Sequence, residues 1–435
     1  MPRSATSPGP ASASSLPVVA GITLAVGVFS GISGMLLALL LHFVQHLAYG
    51  YSLHTLVGSE SFLEGVSAAA PLRRVAVLVV CGAVAGLGWW AVYRFGRPLV
   101  GIARAVQSDD PRMPPGSTGA HALLQMITVA LGSPLGREVA PREVAATFGG
   151  WLGHRAGLDL EQKRVIVACA AGAGLAAVYN VPLGGALFAL EVLLGTFAPA
   201  VAVQALLTST IAAVVAWIGL GNALQYAVPR FSISYSLVAW AIVCGPLFGV
   251  LGYWFSRLTV AARARAPRDW RLLPSCLAMF GVIGLASMAY PELLGNGKGP
   301  AQLGFDTEVG IPLAATLLLL KVLVTAGSLR AGAEGGLLTP SIAIGAMAAT
   351  VIGGAWNLVC PAVPLGAFAL VGAAAFLAAS QRMPLTAIVL VIEFCRLDHD
   401  FWVPILLAVA GSTATLRYCV GRQQAGAPEA PHLHG

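Results

Sequence analysis

Long apolar runs alternate with short polar breaks from residue 16 to residue 402, and apolar stretches of 18 residues or more recur along the way. A helix rises 1.5 Å per residue, so about 20 apolar residues cross a hydrocarbon core of roughly 30 Å. Residues 16–46 and 74–93 each predict a full span. Gly27, Gly31 and Gly34 in the first, and Gly82 and Gly86 in the second, give these spans small faces for close helix packing. About fourteen apolar stretches can be distinguished, and several, such as residues 120–131 and 181–194, are too short to cross. They suit half-helices that end inside the membrane, permitted only where the end is buried in protein or faces a cavity. Residues 94–115 and 291–310 read as polar loops, and residues 221–236 as a connection between two halves.

The pattern occurs twice. Residues 171–191, AGAGLAAVYNVPLGGALFALE, and residues 373–393, AAAFLAASQRMPLTAIVLVIE, agree at eight of 21 positions at a fixed offset of 202. Upstream of each copy, Gly136-Arg137-Glu138-Val139-Ala140-Pro141 aligns with Gly335-Gly336-Leu337-Leu338-Thr339-Pro340 at an offset of 199. Two hydrophobic halves with weak internal identity point to a duplicated transporter, whose substrate site lies where the halves meet near mid-bilayer. The expected division is a disordered N-terminal tail over residues 1–15, a first membrane half over 16–225, a second over 226–422, and a short polar tail over 423–435.

Composition agrees with a membrane chain: 57% of residues are hydrophobic and 10% charged, against about 25% charged in soluble domains. The net charge of +7 comes mostly from arginine and reads as topology, not nucleic-acid binding. Arg94, Arg97, Arg104 and Arg112 fall in one loop, and Arg257, Arg263, Arg265, Arg268 and Arg271 in another; the positive-inside tendency puts both loops and both termini in the cytoplasm. Arg73 and Arg74 then lie one span away, on the opposite side. Seven scattered cysteines form neither a disulfide framework nor a zinc pattern, so no metal or cofactor is expected.

Three glycine-rich turns, residues 115–119, 131–138 and 331–338, each open onto an apolar helix. A helix start carries unpaired N–H groups and the positive end of the dipole. Several such ends aimed at one point would hold an anion without a full positive charge, tightly enough to strip its water and loosely enough to release it. The plainer reading is three ordinary turns between spans. Glu138 is the sharpest single residue, an ionisable group in an apolar context and so a functional candidate. It could occupy an anion site itself and leave on protonation, as a gate or a proton carrier, or it could form a salt bridge with Arg137 or Arg142. Arg137 reads as a residue that holds its helix start. Glu191 and Glu393 are equivalent in the repeat and suit structural pairing near an aqueous surface. Ser117 is either an N-cap or an anion donor.

These motifs resemble the CLC family of chloride channels and chloride/proton exchangers. Residues 136–141 are similar to its GREGP motif, Gly116-Ser117-Thr118-Gly119 to its GSGIP turn, and residues 335–340 to GGIFAP; Asn180-Val181-Pro182-Leu183 and Met383-Pro384-Leu385-Thr386 also fit. The resemblance runs from about residue 16 to residue 421. It implies an all-α polytopic membrane protein with two inverted-topology halves and broken, half-length helices, assembled as a homodimer in a bacterial inner membrane with one anion pathway per subunit. It also implies that Glu138 gates, that Ser117 donates to the central anion, and that backbone around Gly136, Arg137, Val139, Gly336, Leu337 and Leu338 lines the path. Chloride or a similar small anion would be the cargo.

Two departures shape the functional reading. Val192 stands where the family's exchangers carry a second, inner glutamate, and the central tyrosine has no counterpart, Tyr418 falling too early. Val192 favours passive, Glu138-gated chloride conduction; proton-coupled exchange by another inner route is the alternative. Fluoride ranks below chloride, because fluoride exporters lose the serine kept here as Ser117. A remoter alternative is a rhomboid-like intramembrane serine protease, from Gly31-Ile32-Ser33-Gly34 with His42 and His46 on the same span.

Overall fold

The computed structural model describes residues 16–51 and 61–425; both proposed tails lie wholly or mostly outside them. The first half holds α1 (Leu16–Tyr49), α2 (Phe62–Ala68), α3 (Pro71–Phe95), α4 (Ile102–Gln107), α5 (Pro115–Ala130), α6 (Val139–Arg155), α7 (Leu160–Tyr179), α8 (Pro182–Leu187) and α9 (Pro199–Leu220). The second holds α10 (Tyr235–Ala264), α11 (Leu272–Ala286), α12 (Lys298–Phe305), α13 (Ile311–Ala331), α14 (Leu338–Trp356), α15 (Leu365–Gln381), α16 (Pro384–Cys395) and α17 (Trp402–Ala425). The described residues hold more helices than the roughly fourteen apolar stretches expected, in part because α4 and α12 sit inside the two stretches read as polar loops, each too short and polar to show a period.

Among the described residues, seven helices are long and apolar enough to cross a membrane, as a multi-pass protein requires. Six of them (α1, α3, α9, α10, α13 and α17) have 33–44% of their most apolar window buried in protein, leaving the rest for lipid, whereas α14 has 83% buried and is a core helix. The small faces pack as expected. A side chain on Gly31 would overlap Val215 and the Ala212 carbonyl of α9, and one on Gly82 would lie 2.9 Å from the Cys276 carbonyl of α11.

The repeat is visible in backbone angles. Asn180 ends α7 at φ 57°, ψ 50°, and Arg382, 202 residues later, ends α15 at φ 56°, ψ 43°. Asparagine tolerates this left-handed region better than most residues. Two residues on, Pro182 and Pro384 open α8 and α16, where the missing N–H costs nothing. The copies then diverge: residues Phe188–Leu194 continue α8 as a π-helix, while α16 remains α-helical to Cys395.

Candidate functional site

The two turns aligned by the repeat meet. Gly136 and Gly336 form an isolated antiparallel bridge, the Gly136 N–H donating to the Gly336 carbonyl at 2.7 Å and the Gly336 N–H to the Gly136 carbonyl at 2.9 Å. Each turn brings its helix start to this crossing, α6 from one half and α14 from the other. Glycine at both positions leaves room for the Glu138 carboxylate, which a side chain on either would overlap.

Glu138 is the N-cap residue of α6 and is fully buried, yet its side chain does not cap its own helix. Its Oε1 accepts from the Leu338 N–H at 2.8 Å, the first amide of α14, and its Oε2 accepts from the Tyr179 hydroxyl at 3.3 Å. A carboxylate thus already sits at the helix start predicted to hold an anion. A helix-end charge interaction, about 0.3–1 kcal/mol, and charge-assisted hydrogen bonds, about 1.5–3 kcal/mol each, offset part of the cost of burying it. Neither salt bridge considered for it forms: Arg142 Nε donates to the Glu138 main-chain carbonyl at 2.8 Å, and the Arg137 guanidinium lies 5.1 Å from the Tyr179 ring centre.

Several expectations change. The amides of Gly136 and Gly336 are spent on each other and cannot face an ion, so their contribution is space, not hydrogen bonds. Leu337 is the N-cap of α14, Val139 opens α6, and Leu338 supplies the amide that meets negative charge. Ser117 does not join the crossing, nor is it an N-cap. Residues 115–119 form the first turn of α5, whose N-cap is Pro114, and the Ser117 hydroxyl lies against Gly96. Thirteen helical residues separate it from Ala130, about 20 Å along the axis. That end of α5 borders a cleft of about 700 Å³ beside Arg97, Arg112, Thr147 and Trp151. In the cleft, the hydrogen bond from Arg112 holds the Asp110 carboxyl below its ordinary range. The protease reading fails on geometry: Ser33 Oγ donates to the Ser30 carbonyl at 3.3 Å, and His42 lies nine residues along the same helix, about 13 Å away.

Residues that the sequence did not single out complete the site. Tyr179, the last residue of α7, bridges Glu138 and the Thr339 hydroxyl, the latter at 3.0 Å. Tyr179, Thr339 and Arg137 line a small pocket with Asn296 and Lys298. Arg137, Asn296 and Lys298 also line a cavity of about 360 Å³ that reaches His42 and Gln45 on α1. The two cations give that part of the cavity a positive field. Lys298, one of only three lysines in the chain, was the available signal, hidden in an apparent loop.

The other repeat-related pair behaves as expected. Glu393 accepts from the Leu183 and Gly184 amides at 3.0 and 2.7 Å, opening α8; Glu191 accepts from the Leu385 and Thr386 amides at 3.0 and 2.7 Å, opening α16. Each glutamate caps the helix start of the opposite half.

Residues 81–417 match the family described as voltage gated chloride channel. The voltage-gated ClC-type chloride channel ClcB of Citrobacter koseri is 30% identical over 361 residues, covering 77% of this chain and 82% of that protein. The H(+)/Cl(-) exchange transporter ClcA of Vibrio vulnificus is 26% identical over 423 residues, covering 91% and 86%. A solved structure of a slow cyanobacterial Cl-/H+ antiporter superposes with a TM-score of 0.79 over 95% of this chain and 99% of its own, at 19% identity, a likeness of fold.

Proposed function

The chain belongs to the voltage gated chloride channel family, and we propose that it exchanges chloride for protons through one Glu138-gated pathway per subunit of a homodimer. The observation that carries this reading is the buried Glu138 carboxylate on the first amide of α14. Chloride and carboxylate compete for one helix start. Protonation removes the negative charge of Glu138 and frees the amide, so proton uptake and anion entry are linked at a single group. The exchange transporter ClcA of Vibrio vulnificus, matched over 91% of the chain, supports exchange over the passive conduction that Val192 suggested.

Passive conduction is the second reading, supported by Val192 and by the relative named as a channel. The arginine-rich ends of α3 and α10 face the cytoplasm in this proposal, and the cavity above Arg137 and Lys298 faces outward. The test is reconstitution in liposomes with a chloride gradient and no initial proton gradient. Exchange drives protons uphill; chloride flux without proton movement would overturn it in favour of a channel.

A further inference from the structure

A proton that crosses the protein needs a titratable group reachable from each face. Glu138 and its partners are approached from the cavity of Arg137 and Lys298. Near the Gly136–Gly336 crossing, outside the residues that line that cavity, stands a second carboxylate, Glu334, in the turn that leads into α14. It lies two residues before Gly336, whose Cα borders the Glu138 carboxylate, and two residues extend at most about 7 Å. The Glu334 side chain is 26% exposed and faces the arginine-rich ends of α3 and α10. The Tyr93 hydroxyl donates to its Oε1 at 3.2 Å, Arg263 Nε lies 3.9 Å from its Oε2, and Arg268 stacks over the Tyr93 ring at 5.8 Å. Arg263 also donates to the Gly335 carbonyl at 2.6 Å, tying this cluster to the crossing.

We propose that Glu334 is the inner proton station of the exchange cycle, taking protons from water on the arginine-rich face and passing them to Glu138; this rests on the exchange reading above. The proton leaves water for a Glu334 oxygen, then leaves that oxygen for a Glu138 oxygen. One O–H bond breaks as each new one forms, and Glu334 returns to its carboxylate. The competing group is the His121–Glu143 pair between α5 and α6, bonded at 2.9 Å. Its residues are only 7% and 8% exposed, against 26% for the Glu334 side chain, so Glu334 is the more accessible to water.

The experiment measures chloride efflux and uphill proton uptake together, in liposomes holding wild type, Glu334→Gln or Glu143→Gln. Glu334→Gln is expected to keep chloride efflux and to lose proton uptake by at least about ten-fold, while Glu143→Gln keeps the wild-type ratio. A wild type that moves chloride without protons overturns the exchange reading itself. A coupled wild type with an equally coupled Glu334→Gln overturns the role of Glu334 alone, as does uncoupling by Glu143→Gln in its place. An equal fall in both fluxes would make Glu334 a structural anchor and also overturn it. If Glu334→Gln does not reconstitute, Glu334→Asp keeps the charge on a shorter arm; the proposal expects a lower proton-to-chloride ratio, and an unchanged ratio refutes it.

Discussion

Two pairs of repeat-related positions meet in this molecule, and they meet differently. At the α8–α16 seam both copies carry glutamate, and each carboxylate caps the other half's helix start with distances that match to 0.1 Å or better. At the Gly136–Gly336 crossing one copy carries Glu138 and the aligned position in the other is Leu337, so one helix start receives a carboxylate and the other does not. The symmetric seam has every charge matched by fixed donors and nothing left to exchange. The asymmetric crossing has one carboxylate on one amide, next to a cavity with two cations, and in the proposed cycle this is the ligand that chloride replaces. Duplication supplied the scaffold at both places; loss of symmetry at one of them supplied the site.

The sharpest way to break this contrast is to close the crossing. Gly336→Val sets a branched side chain onto the Glu138 carboxylate. Overpacking of this kind costs about 1–3 kcal/mol before any distortion of the bridge. Reconstituted chloride flux is expected to vanish, while Gly281→Ala, on α11 with open space around it, leaves flux intact. Flux through Gly336→Val at the wild-type rate would remove the crossing from the pathway. Next in size is Glu138→Gln, which holds the gate in a neutral form. Uphill proton transport is expected to disappear and chloride flux to lose its pH dependence; persistent proton pumping would show that another group carries the proton.

The seam gives the converse prediction. Glu191→Gln and Glu393→Gln each replace charge-assisted hydrogen bonds by weaker ones, a loss of about 1–3 kcal/mol. Thermal unfolding in detergent is expected to shift down for both. The shift should be larger for Glu191→Gln, because Glu191 also accepts from the Thr386 hydroxyl at 2.6 Å. The proton-to-chloride ratio should stay at its wild-type value in both. A changed ratio with unchanged stability would move the seam into the transport path.

What the chain disclosed depended on how local the physics was. The break before Pro182 and Pro384 was legible because a proline and a glutamate at a fixed distance recur in both copies, while the left-handed helix ends at Asn180 and Arg382 came only with the structure. Glu138 was legible because a lone acid in an apolar run has few innocent explanations. Ser117 misled because four letters resembled a motif, while Pro115 had already started a helix that carries the serine away. Tyr179 looked like a core aromatic at the end of an alanine-rich helix. Its partners, Glu138 and Thr339, are 41 and 160 residues distant in sequence and arrive only when the halves close. Glu334 was hidden for the same reason, its neighbours coming from α3 and α10.

The smallest expected effect tests the asymmetry most finely. Tyr179 and Gln381 are related by the 202-residue offset, and both are polar ends of matching helices. Tyr179 bonds to Glu138, whereas the Gln381 amide donates to Ser341 Oγ at 3.3 Å. Removing the phenol oxygen by Tyr179→Phe leaves Glu138 held by the Leu338 amide and frees Thr339. A hydrogen bond as long as 3.3 Å belongs at the weak end of the usual 0.5–1.5 kcal/mol. Chloride then displaces the carboxylate more readily, and its apparent affinity by titration calorimetry should rise by roughly two- to five-fold. Gln381→Ala, on the side without a gate, should leave the affinity where it was. If both substitutions tighten chloride equally, the phenol is not a latch, and the difference between the halves ends at Glu138 itself.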